Sequence, residues 1–213
     1  MPGVSIIMAV YNRNFSLVER ALDSVMEQDF HDFEIIVVDD GSSYSLGGQL
    51  LKYSIGREAK ITYLRHANTG QAGAVNKGVL ISAAPFIGLI DSDDRYKPNH
   101  VSECLKYMKK GCDLIASVPE IVAGKPEHYY VPDKYDTKKD IHINDCIIFG
   151  TLFGKREVFT DVKFKNIYSL DSDFYERAGQ KYKNQKPDLK TYIYYSGSED
   201  GITAKQRRLR NMY

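Results

Sequence analysis

Residues 34–42 read EIIVVDDGS and residues 86–94 read FIGLIDSDD. Each contains a short apolar run, 35–38 in one and 86–90 in the other, that stops abruptly on acids. Such a run has no polar alternation, as expected of a strand buried on both faces, and strands of that kind belong to parallel sheets covered by helices. Residues 4–10 (VSIIMAV) form another run of the same type, and residues 61–64 (ITYL) a shorter one. The segments between them carry helical periodicity. In 16–28, Leu17, Val18, Ala21, Leu22, Val25 and Met26 share one face, and Ser16 with Glu19 has the pattern of a capping box. Helices are also expected over 46–55, over 69–82 (where Gly70, Gly73 and Gly78 weaken the propensity) and over 98–110, with Pro98 in the first turn. Strand–helix alternation predicts a doubly wound, mostly parallel α/β sheet flanked by helices. Ligands of such sheets bind beyond the carboxyl ends of the strands, where both acidic clusters stand.

The second half is less regular. A strand is expected over 114–122, an exposed loop rich in Lys, Asp, Pro and Tyr over 124–140, an apolar segment over 147–153, a helix over 171–183 and a strand over 189–195. Lys205, Arg207, Arg208 and Arg210 make the C-terminal tail basic. The length of 213 residues fits a single domain, divided into a ligand-binding half (1–110), a second half (111–204) and the tail (205–213).

Composition narrows the function classes. With 43% hydrophobic residues the chain can build a core, and 29 basic against 28 acidic residues give no electrostatic reason to expect nucleic-acid binding. Cys104, Cys112 and Cys146 lack C-x-x-C spacing and read as small buried hydrophobes in a reducing compartment. Pro2 and Gly3 lead directly into an apolar strand without a basic leader, and no apolar run nears the roughly 20 residues that span a bilayer. The expectation is a cytoplasmic protein, with peripheral membrane contact through the basic tail as the alternative.

Four places could carry chemistry. Asp91-Ser92-Asp93-Asp94 gathers three mutually repelling carboxylates at a strand end. Mn2+ or Mg2+ would neutralise them and bridge nucleotide phosphates, and the two-residue strand repeat lets Asp91 and Asp93 share one side. The plainer reading is a solvated acidic turn with Asp94 capping a helix. Asp39-Asp40-Gly41-Ser42 offers a carboxylate to a base or ribose, or is an ordinary turn. Tyr11, in Tyr11-Asn12-Arg13, could stack on a nucleobase or be a rim aromatic. Asp171, near a helix start, is a base or a residue stabilised by the helix dipole.

In order and spacing these segments resemble the family 2 glycosyltransferases of GT-A fold: VSIIMAVYN, EIIVVDDGS, N-T-G-x-x-x-A-x-N-x-G from Asn68, and FIGLIDSDD with Pro98 four residues on. The resemblance is dense over 3–110 and sparse over 145–203. It implies that Ala9, Val10 and Tyr11 line a nucleobase pocket, that Asp40 contacts the base, and that Asn68, Gly70, Asn76 and Ser92 border the nucleotide. Asp91 and Asp93 take the place of the D-x-D motif, Asp93 as main metal ligand and Asp91 nearer the ribose and metal. Asp171, in L-D-S-D-F-Y-E-R from Leu170, takes the place of the general base. The implied activity is metal-dependent, inverting sugar transfer from a nucleotide-diphospho-sugar, with UDP the default nucleotide, to a glycan, lipid-linked or protein acceptor. Two positions depart from the pattern. Leu170 stands where the family has glutamate, and no histidine follows His142, so water or another group would complete the metal shell.

Other α/β classes fit less well. A receiver-type domain wants an acidic pair after the first strand, where Tyr11-Asn12 stands, and nucleotidyltransferases and NAD-binding folds want a glycine-rich loop there. The alternative of a different class is a sugar-nucleotide-binding module of the same fold without turnover.

Overall fold

The computed structural model describes residues 1–197 and the helix 202–210. In chain order the elements are β1 (Val4–Val10), α1 (Phe15–Met26), β2 (Phe33–Asp39), α2 (Gly47–Arg57), β3 (Ile61–Arg65), α3 (Gly70–Ile81), β4 (Phe86–Leu89), β5 (Arg95–Tyr96), α4 (His100–Lys109), β6 (Leu114–Ala116) and β7 (Glu120–Ala123). There follow β8 (Tyr130–Pro132), β9 (Asp140–His142), β10 (Leu152–Lys155), α5 (Arg156–Val162), α6 (Leu170–Gly179), β11 (Asn184–Gln185), β12 (Tyr192–Ser196) and α7 (Ile202–Arg210).

The main sheet has seven strands in the order β11-β6-β10-β4-β1-β2-β3. β4, β1, β2 and β3 pair parallel to one another, β11 pairs parallel to β6, and β10 alone is antiparallel to both its partners, β4 and β6. Alternation along the strands feeds two cores. Ile6, Met8 and Val10 of β1 face a layer built on α1, α2 and α4, while Ile7 joins Ile36, Val38 and Leu89 against α3, α5 and α6. This double burial is the physical reason the strand runs are nearly continuous in apolar residues. Gly78 does not spoil α3: a β-carbon there would lie 2.6 Å from Ile7 Cγ2, so glycine lets the helix seat against β1.

Several expectations need correction. The cap of α1 is Asn14, whose side chain accepts from Ser16 N at 3.0 Å, so Ser16 lies inside the helix and forms no capping box. Pro98 precedes α4, which opens at His100. Residues 114–122 are not one strand. Pro119 has no N–H to give a ladder, and the chain passes there from β6 in the main sheet to β7 in a three-stranded sheet, β5-β12-β7. The 124–140 segment is no plain loop: it holds a 3-10 turn at Pro126–Tyr129 and strand β8, paired antiparallel to β9. The strand expected over 189–195 is Tyr192–Ser196.

The tail forms helix α7, and Arg207 is turned inward, donating to the carbonyls of Glu127 and Tyr130 and pairing with Asp140 at 3.3 Å. Residues 211–213 and the side chains of Lys205 and Arg210 lie outside the described residues. Cys104 and Cys112 are buried, Cys146 is half-buried, and all are free thiols. Among the described residues, no helix is long and apolar enough to cross a membrane.

Candidate active site

Strand register brings the loops after β1, β2 and β4 to one edge. Val10 lies level with Asp39, and Ile7 with Leu89. The ladder continues beyond β2, where Asp40 N donates to Val10 O at 2.9 Å, and beyond β4, where Ile90 N donates to Ile7 O at 3.1 Å. Asn12, at φ +50°, stitches the first loop to the second: its N–H donates to Ser42 Oγ (2.9 Å) and its side-chain oxygen accepts from Ser43 N (2.7 Å). Tyr44 Oη donates to the Arg13 carbonyl at 2.5 Å. Tyr11 projects from this edge, 51% exposed. Ala9 is half-buried, and the Val10 side chain packs in the core, so at the edge Val10 contributes its backbone.

Asp39 and Asp40 divide the work of the second loop. Asp39 is buried and accepts from Ser42 N (2.8 Å) and Tyr63 Oη (2.6 Å). Those hydrogen bonds, with Arg65, outweigh its burial and lower its pKa. The Asp40 carboxylate accepts from Thr69 N at 2.7 Å, and Asn68 Nδ2 donates to the Asp40 carbonyl at 2.9 Å. Gly70 opens α3 at φ +80°, a backbone region that favours glycine, and the Asn166 side chain lies against it. Asn166 accepts from Ala72 N (3.1 Å) and donates to Thr69 O (2.6 Å). Asp40, Asn68 and Gly70 are thus one connected group. Asn76 stands apart, with both ends of its amide bonded to the Phe164 backbone at 2.9 Å.

The turn after β4 holds the main charge. Asp94 does not cap a helix. It is buried, accepting from Tyr192 Oη (2.7 Å) and Tyr195 N (2.9 Å) of β12. Tyr192 Oη also accepts from Asp91 N at 3.2 Å, so one phenol ties the two ends of the turn. Burial, then the charge on Asp93, lifts the Asp94 pKa to about 8. Burial, and then the charges of Asp94, Asp93 and Asp171, push Asp91 well above the carboxylate range. Asp91 is approached by Gln71 Nε2 at 3.4 Å, and Ser92 is buried within the turn. Arg13 pairs with the Asp93 carboxylate at 3.0 Å. Arg20 of α1 donates to the Asp93 carbonyl and stacks on Tyr195, 4.1 Å from the ring centre.

Asp171 lies in the first turn of α6, after Ser169 at φ +57°. Its carboxylate accepts from Ser172 N at 2.8 Å and Ser169 Oγ at 3.3 Å, and burial raises its pKa to about 6. Its charge reaches Asp91, which brings the second half of the chain to the D-S-D-D turn. Leu170 is packed in the core of α5 and α6, and Asp173 pairs with Arg177 at 2.6 Å, which fixes the helix. Where the resemblance would seek a histidine, β12 offers Tyr194. Burial and then Asp94, Asp91, Asp93 and Asp171 raise its pKa, so its phenol and the four acids share one neighbourhood. Arg13, Arg20, Tyr192, Tyr194 and Asn166 were missed by sequence reasoning. Only the Tyr192/Tyr194 alternation carried any signal there.

The model of the family described as glycosyl transferase family 2 matches residues 5–185. The chain belongs to that family. An uncharacterized glycosyltransferase of Methanocaldococcus jannaschii is 26% identical over 187 residues, covering 83% of this chain and 64% of that protein. The succinoglycan biosynthesis protein ExoW of Rhizobium meliloti is 30% identical over 112 residues, covering 52% and 35%. Among solved structures, the mannosyltransferase PcManGT from Pyrobaculum calidifontis in complex with GDP-Man and Mn2+ superposes with a TM-score of 0.73 at 19% identity, covering 98% of this chain and 61% of that one. TarS of S. aureus in complex with UDP-GlcNAc superposes at 0.70 and 17%, covering 95% and 60%. The GT-A fold expected from the sequence is the fold observed. The chain spans less than two thirds of each of these relatives.

Proposed function

We propose that this family 2 chain is an inverting, metal-dependent glycosyltransferase that moves a sugar from a nucleotide-diphospho-sugar to a hydroxyl of a glycan, lipid-linked or protein acceptor. The observation that carries the reading is the gathering of Asp91, Asp93 and Asp94 with Asp171 at the carboxyl edge of a doubly wound sheet. Residues 1–110 then form the donor half and 111–204 supply the base.

The acid turn fits a hard divalent cation. Burial and the neighbouring acids raise the pKa of Asp91 and Asp94, and against the three carboxylates of the turn and Asp171 stand two guanidinia, Arg13 on the Asp93 carboxylate and Arg20 on its carbonyl. Among the described residues, no group of three or more His, Cys, Asp or Glu side chains is placed to hold a metal ion. Mg2+-type sites do not need one, because one or two carboxylates plus substrate phosphates suffice. Asp93, with Asp91, would hold Mn2+ or Mg2+, which when bound would neutralise charge on the leaving diphosphate. Tyr11 is free to stack on the base, and the group of Asp40, Asn68 and Gly70 borders the nucleotide. UDP is the default nucleotide, and the UDP-GlcNAc and GDP-Man complexes of the structural relatives support a nucleotide-sugar donor.

Asp171 takes the proton of the acceptor hydroxyl as that oxygen attacks the anomeric carbon. A pKa near 6 leaves it mostly ionised at neutral pH and still basic enough to serve. One displacement inverts the anomeric centre. The test is turnover with UDP- and GDP-sugars, with the product's anomeric configuration read by NMR. Inversion, and loss of transfer in Asp171→Asn, is expected. A retained configuration would overturn the single displacement, and turnover within a few-fold of wild type in Asp171→Asn would overturn the base assignment. Donor binding without transfer or hydrolysis would favour the binding-module alternative.

A further inference from the structure

Arg13 belongs to a loop whose backbone is pinned. Asn12 is bonded to Ser42 and Ser43 on one side, and Tyr44 holds the Arg13 carbonyl on the other. From that fixed base its side chain crosses to the D-S-D-D turn and pairs with Asp93 Oδ2 at 3.0 Å. The two side chains are 26% and 24% exposed, so a ligand arriving at the strand edge reaches both. Arg20 offers a contrast: it is fixed by stacking on Tyr195 and by the Asp93 backbone carbonyl rather than by the Asp93 carboxylate. Arg13 is held through the carboxylate itself, its one ion-pair partner among the described residues. That carboxylate is also the first candidate for the cation.

A cation on Asp93 would set a like charge beside Arg13, whose field otherwise reaches Asp91, and would loosen its hold on the carboxylate. The diphosphate of a bound donor would then offer the guanidinium a new anion. A guanidinium presents a planar fork of donors matched to phosphate oxygens and keeps its charge at any working pH. We propose that Arg13 is a donor-binding residue that exchanges the Asp93 carboxylate for the diphosphate of the nucleotide-sugar. It would thus hold the empty acid turn together and then clamp the leaving group. This rests on the donor-site reading above and adds to it a residue to which the family resemblance assigned no role.

The exchange predicts opposite effects on two ligands, which a purely structural role of Arg13 would not produce. Calorimetry would titrate Mn2+ alone, and then UDP and GDP with Mn2+ present, into wild type, Arg13→Gln and Arg13→Lys, after circular dichroism has shown all three folded. Removing an internal competitor should tighten Mn2+ binding in Arg13→Gln by up to about fivefold, the worth of a part-exposed ion pair. Losing a charge-assisted contact should weaken the nucleotide that wild type prefers by about ten- to a hundredfold. Arg13→Lys should recover part of both, since it keeps the charge and loses the fork. Unchanged nucleotide affinity in Arg13→Gln, or nucleotide and Mn2+ both binding more tightly, would overturn the exchange and leave the donor site standing. If wild type binds neither nucleotide, the donor-site reading fails and this inference fails with it.

Discussion

Tyr192→Phe removes a single oxygen from the centre of the acid turn. That oxygen donates to Asp94 Oδ2 at 2.7 Å and accepts from Asp91 N at 3.2 Å. The ring keeps its place, because it is fully buried and meets Tyr96 and His100 edge-on at 5.8 and 6.0 Å, contacts that phenylalanine retains. The loss should therefore be hydrogen bonding without a cavity, and its size should follow the charge on Asp94. With the Asp94 pKa near 8, the carboxyl is ionised at pH 9 and protonated at pH 6. The phenol of Tyr192, its pKa pushed well above the ordinary value by burial and by the acids, stays protonated at both. A hydrogen bond to a charged group contributes about 1.5–3 kcal/mol and one between neutral groups about 0.5–1.5 kcal/mol. In metal-free buffer, urea unfolding should show destabilisation at both pH values, larger at pH 9 by about 1 kcal/mol, with an unchanged m-value. Equal losses at the two pH values, or none at pH 9, would mean that the Tyr192 phenol does not bond a charged Asp94.

Other outcomes follow from the same geometry. The folded-state pKa of Asp94 lies above the unfolded carboxylate value of about 3.9, so between the two the folded chain holds a proton that the unfolded chain has released. Metal-free stability should fall as pH rises from about 4 to about 8, by at most about 1.4 kcal/mol per pH unit for this group, and thermal unfolding at steps across that window measures it. Transfer should show an acid limb near pH 6, falling tenfold per unit below it, because burial raises the Asp171 pKa to that value and only the ionised form accepts a proton; a rate flat down to pH 5 would contradict this. Asn166→Ala should cost about 0.5–2 kcal/mol in denaturant unfolding, because it strips the start of α3 of its side-chain acceptor for Ala72 N.

The sheet was legible because its strands are buried on both faces. VSIIMAV, EIIVV and FIGLI are nearly continuous in apolar residues, broken only by Ser5 and Glu34, and the acids that follow EIIVV and FIGLI mark the carboxyl edge. Local signals with two solutions were read less well. Asn14 and Ser16 both cap helices well, and only the backbone path at Phe15 selects Asn14. Residues 114–122 are apolar enough for one strand, and the passage between two sheets at Pro119 depends on partners elsewhere, such as Pro187 and Lys190, which bond the backbone of Val118. The partners of the acids were the least legible part. Tyr192 lies 98 residues from Asp94, and Arg20 lies 73 from Asp93, distances across which no local periodicity carries information. Asn76 was grouped with Asn68 and Gly70 through the resemblance, whereas its amide is spent on Phe164, a contact only the folded second half creates.

On the proposed function, the acid turn is a donor site completed by a cation. Calorimetric titration of UDP, GDP, dTDP and CDP, each with and without Mn2+, into wild type and Asp93→Ala tests it most directly. One nucleotide is expected to bind wild type in a Mn2+-dependent manner, and this binding to be lost in Asp93→Ala. Binding of none of the four, or Mn2+-dependent binding that survives in Asp93→Ala, would contradict the donor-site reading.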